Sequence, residues 1–210
     1  MKLFIDDLAV EDGFVVDTTT IEEALRHVQI NLCDEDHLVV GIQCDGREVP
    51  ADRMTDTLRQ PAHSFERLDI HTDTKTSLVC DAMSQASACL TETEQACKQA
   101  ADLLTEGRTV EAAGTLGECL HVWQQIHDAV AKSVTMLAVD PEAFTVKDEP
   151  LIEAIGRPRD VLMQVRDALV ARDYVMLADL LHYEFGNVTS CWRSIVDALL
   201  EHSERSRRNA

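Results

Sequence analysis

The spacing of hydrophobic residues changes near Thr76, which divides the chain into two parts of unlike predicted structure. Before that point the apolar residues alternate with polar ones in short runs, as in strands, with one helical segment among them. Beyond it they recur every 3.6 residues, as in amphipathic helices. The predicted strands cover residues 2–6, 14–16, 38–44, 47–49 and 65–72, with a helix over 21–32 and a short helix over 52–59.

Two local signals support this assignment in the first part. Thr20 followed by Glu23 is a capping box, because each side chain can accept a hydrogen bond from the other residue's backbone amide. Asp45-Gly46 follows the most strand-like run and predicts a type I′ hairpin turn, which needs positive φ at both central residues.

The order of these elements, ββαββ(short helix)β within about the first 73 residues, resembles a ubiquitin-like β-grasp domain. Ubiquitin-like and sulfur-carrier members of that class use an exposed C-terminal Gly-Gly. Here the last strand ends at Ile70-His71-Thr72 and the chain continues, so the resemblance implies a docking module and neither conjugation nor sulfur carriage.

The second part is predicted to be an antiparallel four-helix bundle over residues 76–204, which makes the whole chain an α+β protein. Two helical hairpins, 76–138 and 151–202, are separated by a charged linker over 140–150, and a basic tail follows at 205–210. Pro158 is expected to kink or restart the third helix. The predicted helices cover 76–105, 109–138, 151 to about 171, and 173–202.

The two predicted hairpins also resemble each other in sequence. Asp102-Leu-Leu104, Val110 and Leu116 match Asp167-Ala-Leu169, Val175 and Leu181 at a shift of 65 residues. A duplicated hairpin and a chance similarity between two amphipathic pairs are both open explanations.

Charge and composition restrict the classes of partner. The chain has 38 acidic and 19 basic residues, a formal charge of −19. Such a surface repels nucleic acids and anionic membranes, whose binding depends on Lys and Arg. The N-terminal residues carry acids where a signal peptide has an apolar run, and no segment is apolar enough to span a membrane. We therefore expect a cytoplasmic protein whose partners are proteins, with a basic helix or strand preferred.

The cysteines indicate a reducing compartment. There are seven, an odd number, and no CxxC pair occurs, which argues against a disulfide framework and against a zinc ribbon. Cys80, Cys89 and Cys97 lie on a predicted helix among small residues, where a free thiol behaves as a small apolar side chain.

One pattern deserves consideration as a metal site. Glu118-x-x-His121 and Asp179-x-x-His182 have the carboxylate-x-x-His spacing that di-metal helical bundles use. However, Glu118 and His121 share a helix face with polar residues such as Gln125, so they are expected to face water. We therefore predict no metal, no cofactor and no catalytic residue, with this set kept as an alternative.

Other residues are predicted to pack. Trp123 with Leu116 and Leu120 is assigned to the inner face of the second helix, and Trp192 with Tyr174 to that of the fourth. Gly114 and Gly117 either admit a close neighbour or are tolerated flaws in the second helix. Glu184 lies beside the apolar stripe of the fourth helix, where a carboxylate needs a partner or a binding role. Its candidate partners are Arg157, Arg159 and Arg166.

These observations predict a non-enzymatic adaptor or chaperone-like protein, a β-grasp docking module joined to an acidic helical bundle. A sheet edge or a groove of the bundle would hold a partner helix or strand, with acids steering a basic ligand. Bacterial secretion and flagellar-export chaperones are similar in being small, acidic and helical. The alternatives are a di-metal helical protein or enzyme and a self-assembling structural subunit that forms a homodimer or larger oligomer.

Overall fold

A computed structural model describes residues 1–10 and 19–209 and has the expected α+β composition, a small sheet followed by a mostly helical region. The chain divides into two compact units, Met1–Leu78 and Val79–Ala210. The predicted strand over 14–16 lies outside the described residues. No helix among the described residues combines the length and the apolar character that a membrane span requires.

The first unit is a five-stranded mixed sheet with two helices. Its strands lie in the order β2-β1-β5-β3-β4, and the central pair, β1 and β5, runs parallel while the other pairs are antiparallel. The element bounds are β1 Lys2–Ile5, β2 Leu8–Val10, α1 Ile21–Asn31, β3 His37–Cys44, β4 Arg47–Glu48, α2 Ala51–Leu58 and β5 Arg67–Thr74.

One face of this sheet packs against α1. The predicted capping box at its start is present, since Thr20 Oγ1 accepts from the Glu23 amide at 3.2 Å and the Glu23 carboxylate accepts from the Thr20 amide at 2.9 Å. Asp45 and Gly46 have φ of 51° and 75°, so the predicted turn is also present. The core of the unit consists of Leu3, Ile21, Ala24, Val28, Ile42, Cys44, Ala62, Leu68 and Ile70.

The opposite face of β5 carries a buried carboxylate. Asp69 is 4% exposed and accepts hydrogen bonds from the Arg67 guanidinium, with 2.8 Å from Nε to each carboxylate oxygen. The same guanidinium lies 3.9 Å from the centre of the Phe4 ring, a cation–π contact. The burial of Asp69 is therefore offset by a paired charge rather than left uncompensated.

A side chain of α1 occupies two backbone groups of β3. The Gln29 amide donates to the carbonyl of His37 at 2.8 Å and accepts from the amide of Val39 at 3.0 Å. These are the two hydrogen bonds that a neighbouring strand would make at these positions. The short strand β4 pairs only with Gln43 and Cys44, so the beginning of β3 has an open edge on that side. Gln29 closes part of this edge to another strand.

The second unit is helical with one small hairpin, and the long helix α3 that leads into it begins directly after β5. The bounds are α3 Lys75–Thr105, α4 Thr109–Met136, β6 Thr145–Val146, β7 Glu149–Pro150, α5 Leu151–Gly156, α6 Arg159–Ala171, α7 Tyr174–Asp179 and α8 Phe185–Asn209. The break between α5 and α6 falls at Pro158, as predicted.

The segment predicted to be a charged linker over 140–150 is in fact folded. It forms the β6–β7 hairpin, whose two turn residues Lys147 and Asp148 have φ of 50° and 67°. Val146 is buried and Phe144 contacts the core of the unit. Its charged turn residues obscured the hairpin because a type I′ turn usually contains Gly or Asn.

The basic residues predicted to form a separate tail are helical. The last helix α8 continues to Asn209, and Arg205 Nη2 lies 3.4 Å from Glu201 Oε2 one turn earlier. Cations in the last turns of a helix interact favourably with its dipole, which explains why the helix continues where a frayed end was expected.

The two helical hairpins reverse direction in the same way. Gly107 and Arg172, which are 65 residues apart, both have left-handed φ, of 80° and 57°. Gly107 and Arg108 donate to Leu104 and Leu103, and the residues 65 further on, Arg172 and Asp173, donate to Leu169 and Ala168. The sequence similarity between the hairpins thus extends to their backbone hydrogen bonds, but this turn ends a large share of all helices and does not distinguish duplication from chance.

The fourth predicted helix is interrupted by a π-helical turn over Leu180–Glu184, between α7 and α8. In this turn the amide of Phe185 donates to the carbonyl of Leu180, five residues back. The extra residue rotates the following helix, so Phe185 is buried at 3% exposure and Glu184 is exposed.

This turn corrects the predicted position of Glu184, which was derived from an uninterrupted 3.6-residue period. The carboxylate lies in solvent and makes no ion pair with the expected arginines within the described part of the chain. Arg157 pairs with Glu149 at 2.7 Å and Arg166 with Asp167 at 2.7 Å instead. Tyr174 is likewise not on an inner face: it is the first residue of α7 and is 38% exposed, because first-turn positions project beyond the core.

The capping box gives the first testable prediction. Thr20→Ala removes the acceptor for the Glu23 amide and should lower the free energy of unfolding by about 1 kcal/mol, measured by urea denaturation. Thr55→Ala, at an exposed position inside α2, is the matched control and should not destabilise the protein. Equal losses in the two variants would contradict the capping role.

The π turn over Leu180–Glu184 gives the second testable prediction. Glu184→Gln should change the free energy of unfolding by no more than about 0.5 kcal/mol, because its carboxylate is exposed. Phe185→Ala, one residue later, should cost about 3 kcal/mol or more because it leaves a cavity in the core. A large loss of stability for Glu184→Gln with a small one for Phe185→Ala would contradict the π turn and support an uninterrupted helix.

Candidate functional site

Trp123, Phe185 and Trp192 form an aromatic cluster between α4 and α8. Trp123 is 7% exposed and Trp192 is 4% exposed, and their ring centroids are 5.9 Å apart in an edge-to-face arrangement. Phe185 makes a second edge-to-face contact with Trp123 at 5.6 Å. His127 lies against Trp192, with centroids 5.7 Å apart. The two tryptophans therefore lie together inside the second unit and pack α4 against α8.

The four residues of the di-metal alternative are all exposed, and its two histidines contact other groups. His121 Nε2 lies 3.2 Å from the side-chain amide of Gln125 on its own helix. His182 lies in the π turn, with its Nε2 3.2 Å from an Asp102 carboxylate oxygen. Glu118 and Asp179 are exposed on α4 and α7. Each histidine is thus paired locally.

A metal centre requires several ligands that converge, and the described residues contain no group of three or more His, Cys, Asp or Glu side chains arranged to hold an ion. The carboxylate-x-x-His spacing is a property of each helix separately. It carries no information about whether the two helices turn these faces toward each other.

One expectation about α4 is wrong, and one of two open alternatives for its glycines is favoured. Leu120 was assigned to the inner face but is 45% exposed, while Cys119 is buried in its place. An alanine-sized side chain at Gly114 or Gly117 would meet no atom within 4 Å, so neither glycine admits a close neighbour. Both are therefore tolerated helical glycines at open positions.

Cys97 of α3 and Cys119 of α4 form a buried thiol pair, 1% and 4% exposed. The hydrogen bond with Cys119, together with burial, raises the pKa of Cys97 far above its usual range. Since thiolates are the reactive form, Cys97 remains a protonated, unreactive thiol. This agrees with the predicted role of the helix cysteines as packing residues.

A groove of about 680 Å³ runs along α8 beside the β6–β7 hairpin. Its charges are mixed, because Lys147, Arg193 and Arg205 alternate with Asp197 and Glu201. Arg193 is also engaged with α3, 3.7 Å from a Glu94 carboxylate oxygen. The groove therefore has no consistent preference for one class of ligand.

A more uniform groove lies between α3 and α4, and we call it the α3–α4 groove. It encloses about 250 Å³ and is lined by small or aliphatic side chains and two glutamines. The lining residues are Ala82, Gln85, Ala86 and Cys89 of α3 and Val122, Gln125, Ile126 and Ala129 of α4. On both helices these positions follow the spacing i, i+3, i+4, i+7, so each helix presents one continuous ridge to the groove.

The rim of the α3–α4 groove is acidic. On α3, Asp81 lies one position before the first lining residue and Glu92 lies three positions after the last one. Both are exposed. On α4, Glu118 lies four positions before the lining residues, the exposed Asp128 falls within their range, and the exposed base Lys132 lies three positions after them. Helical spacing places these side chains on the solvent side of the groove.

The sequence indicated half of this groove. The small residues of α3 predicted a face that a neighbour can approach closely, and Ala82, Ala86 and Cys89 were assigned to its stripe. The α4 wall was missed, because Val122 and Ala129 lie beside the core stripe rather than within it. Their repeat at seven residues, with Gln125 and Ile126 between them, is the signal that could have revealed it.

Family comparisons cover both units of the chain. Residues 1–74 match the model described as the TP0873 N-terminal domain, and residues 81–195 match the model described as Domain of unknown function (DUF8042). Comparison with curated proteins and with solved structures gives no significant match. Since the second model covers more than half of its residues, this chain belongs to the DUF8042 family.

Proposed function

We propose that this protein is a non-enzymatic interaction adaptor that binds a basic amphipathic helix in the α3–α4 groove. The observation that carries the proposal is the groove itself, an apolar channel with parallel ridges and an acidic rim. A helix laid into such a groove buries residues at i, i+3, i+4 and i+7, the recurring pattern of helix-in-groove recognition.

The small side chains of the groove favour a helix over a flexible loop. Ala82, Ala86 and Ala129 leave room for the backbone of a partner helix to approach closely. Gln85 and Gln125 are exposed at the lining and offer amide groups to polar atoms of the partner. The binding energy would come from apolar burial, with these amides fixing the orientation.

Charge determines which helices are preferred. The acids of the rim attract lysine and arginine side chains, and the formal charge of −19 adds long-range steering toward basic partners. Acidic helices would be repelled by the same field. We therefore expect a partner with a basic face beside its apolar one.

The first unit is assigned in this proposal to a β-grasp-like docking module. Its support is the element order of the described residues, two strands, a helix, two strands, a short helix and a last strand. Gln29 already occupies backbone groups of the β3 edge, so a partner strand is less favoured there than a partner helix on the second unit.

An antiparallel four-helix bundle is the proposed architecture of the second unit. The two hairpins with matching left-handed turns support it, as do the contacts of α8 with both α4 and α5. Such a bundle leaves the outer groove between α3 and α4 free for a partner.

The proposal predicts binding of a designed basic helix. A fluorescently labelled peptide of about 14 residues, with leucines at i, i+3, i+4 and i+7 and lysines elsewhere, should bind in a fluorescence anisotropy titration. Raising the salt concentration should weaken the binding because the rim charges are exposed. Ala82→Phe, which fills the groove, should weaken it by about tenfold or more.

Matched controls distinguish binding in the α3–α4 groove from nonspecific binding of the peptide. Ala88→Phe adds the same ring to an exposed position of α3 outside the groove and should bind as the wild type does. The same peptide with glutamates in place of lysines should not bind. Equal weakening by Ala82→Phe and Ala88→Phe, or binding of both peptides alike, would refute the proposal. Concentration-dependent light scattering that Ala82→Phe abolishes would instead assign the groove to a second copy of the chain.

A further inference from the structure

A second cleft of the helical unit has the opposite charge character. It is formed by α4, α5, α6 and α8, encloses about 320 Å³, and we call it the arginine-flanked cleft. Its lining residues are His127, Ile155, Pro158, Arg159, Leu162, Met163, Arg166 and Trp192. It shares no lining residue with the α3–α4 groove.

The lining of this cleft is basic, although the chain as a whole is acidic. Acids outnumber bases two to one in the whole sequence, yet the lining contains two arginines, one histidine and no carboxylate. Arg159 makes no hydrogen bond or ion pair within the part of the chain that the structure describes. Arg166 contacts only its neighbour Asp167, a surface pair of little strength. Arg159 is therefore available to an anion, and Arg166 offers its remaining Nη1 donor, since its Nε and Nη2 already donate to Asp167 Oδ1.

The remaining wall is apolar and partly aromatic. Ile155, Leu162 and Met163 contribute aliphatic surface, and Trp192 joins them from the buried aromatic cluster. Met163 is 41% exposed, so the apolar wall is open to a ligand from solvent. An apolar wall with a few convergent polar groups is typical of small-molecule sites.

We infer that the arginine-flanked cleft binds a small amphiphilic carboxylate, an apolar chain or ring with one ionised acid group. The apolar body lies on Leu162 and Met163 beside the buried Trp192, and the carboxylate accepts hydrogen bonds from the Arg159 guanidinium, whose planar group suits carboxylate geometry, with Arg166 as a second donor. This inference goes beyond the proposed adaptor function, because it concerns a different cleft and the opposite charge.

The volume of the cleft limits the size of the ligand. At about 320 Å³ the cleft is at the small end of the range for small-molecule sites, about 300–1,000 Å³, which favours a medium-length chain over a long one. Decanoate is accordingly the probe of choice.

Binding can be read from the protein's own fluorescence, because its two tryptophans, Trp123 and Trp192, are in contact and one of them lines the cleft. Titration with decanoate should give a saturable change in tryptophan emission, while circular dichroism stays constant and excludes unfolding by the amphiphile. Decanol has the same body without the charge and should bind about tenfold more weakly or worse.

Charge-neutral variants complete the test. Arg159→Gln and Arg166→Gln should each weaken decanoate binding by about tenfold, and both side chains are exposed enough for the fold to be retained. Lys132→Gln makes the same change of net charge on α4 outside the cleft and should bind as the wild type does. The inference is overturned by the absence of a saturable change with decanoate, by equal binding of decanol, or by wild-type affinity in both arginine variants.

Discussion

The helical unit depends on the rotational phase of α8 relative to α4. Phe185 and Trp192, the residues of α8 that contact Trp123, follow the π turn over Leu180–Glu184 and are both buried. This edge-to-face cluster adds aromatic contacts of defined geometry to a core that is otherwise mostly aliphatic. The same phase turns Glu184 and Tyr183 to solvent and sets Trp192 beside His127, so it also shapes the arginine-flanked cleft.

Sequence reasoning succeeded where the cause of structure is local. The capping box at Thr20, the turn at Asp45-Gly46 and the break at Pro158 each depend on residues within a few positions of one another. It failed at Glu184, because a uniform period cannot reveal an extra residue that tertiary packing inserts. It failed at Lys147-Asp148 because neither residue is a usual type I′ turn residue, so the pairing of β6 with β7 was hidden.

The candidate sites were harder to predict than the fold for a related reason. A groove is a property of two helices, and the α3–α4 groove needs the facing ridges of Ala82 to Cys89 and Val122 to Ala129. The arginine-flanked cleft draws on four separate segments that only the folded chain brings together. Acidic composition directed attention to basic partners and concealed the arginines of the second site, since an average over the whole chain does not reveal the charge of a local surface.

The Gln29 amide has a consequence for how the protein behaves at high concentration. A sheet whose outer strand offers unoccupied amides and carbonyls can recruit the same strand from another molecule, and growth by repetition leads to fibres. The Gln29 side chain of α1 binds the His37 carbonyl and the Val39 amide, so these two groups are not available to a strand from another molecule. Replacement of this glutamine by leucine would preserve the volume of the side chain. It would leave the His37 carbonyl and the Val39 amide open to a strand from another molecule.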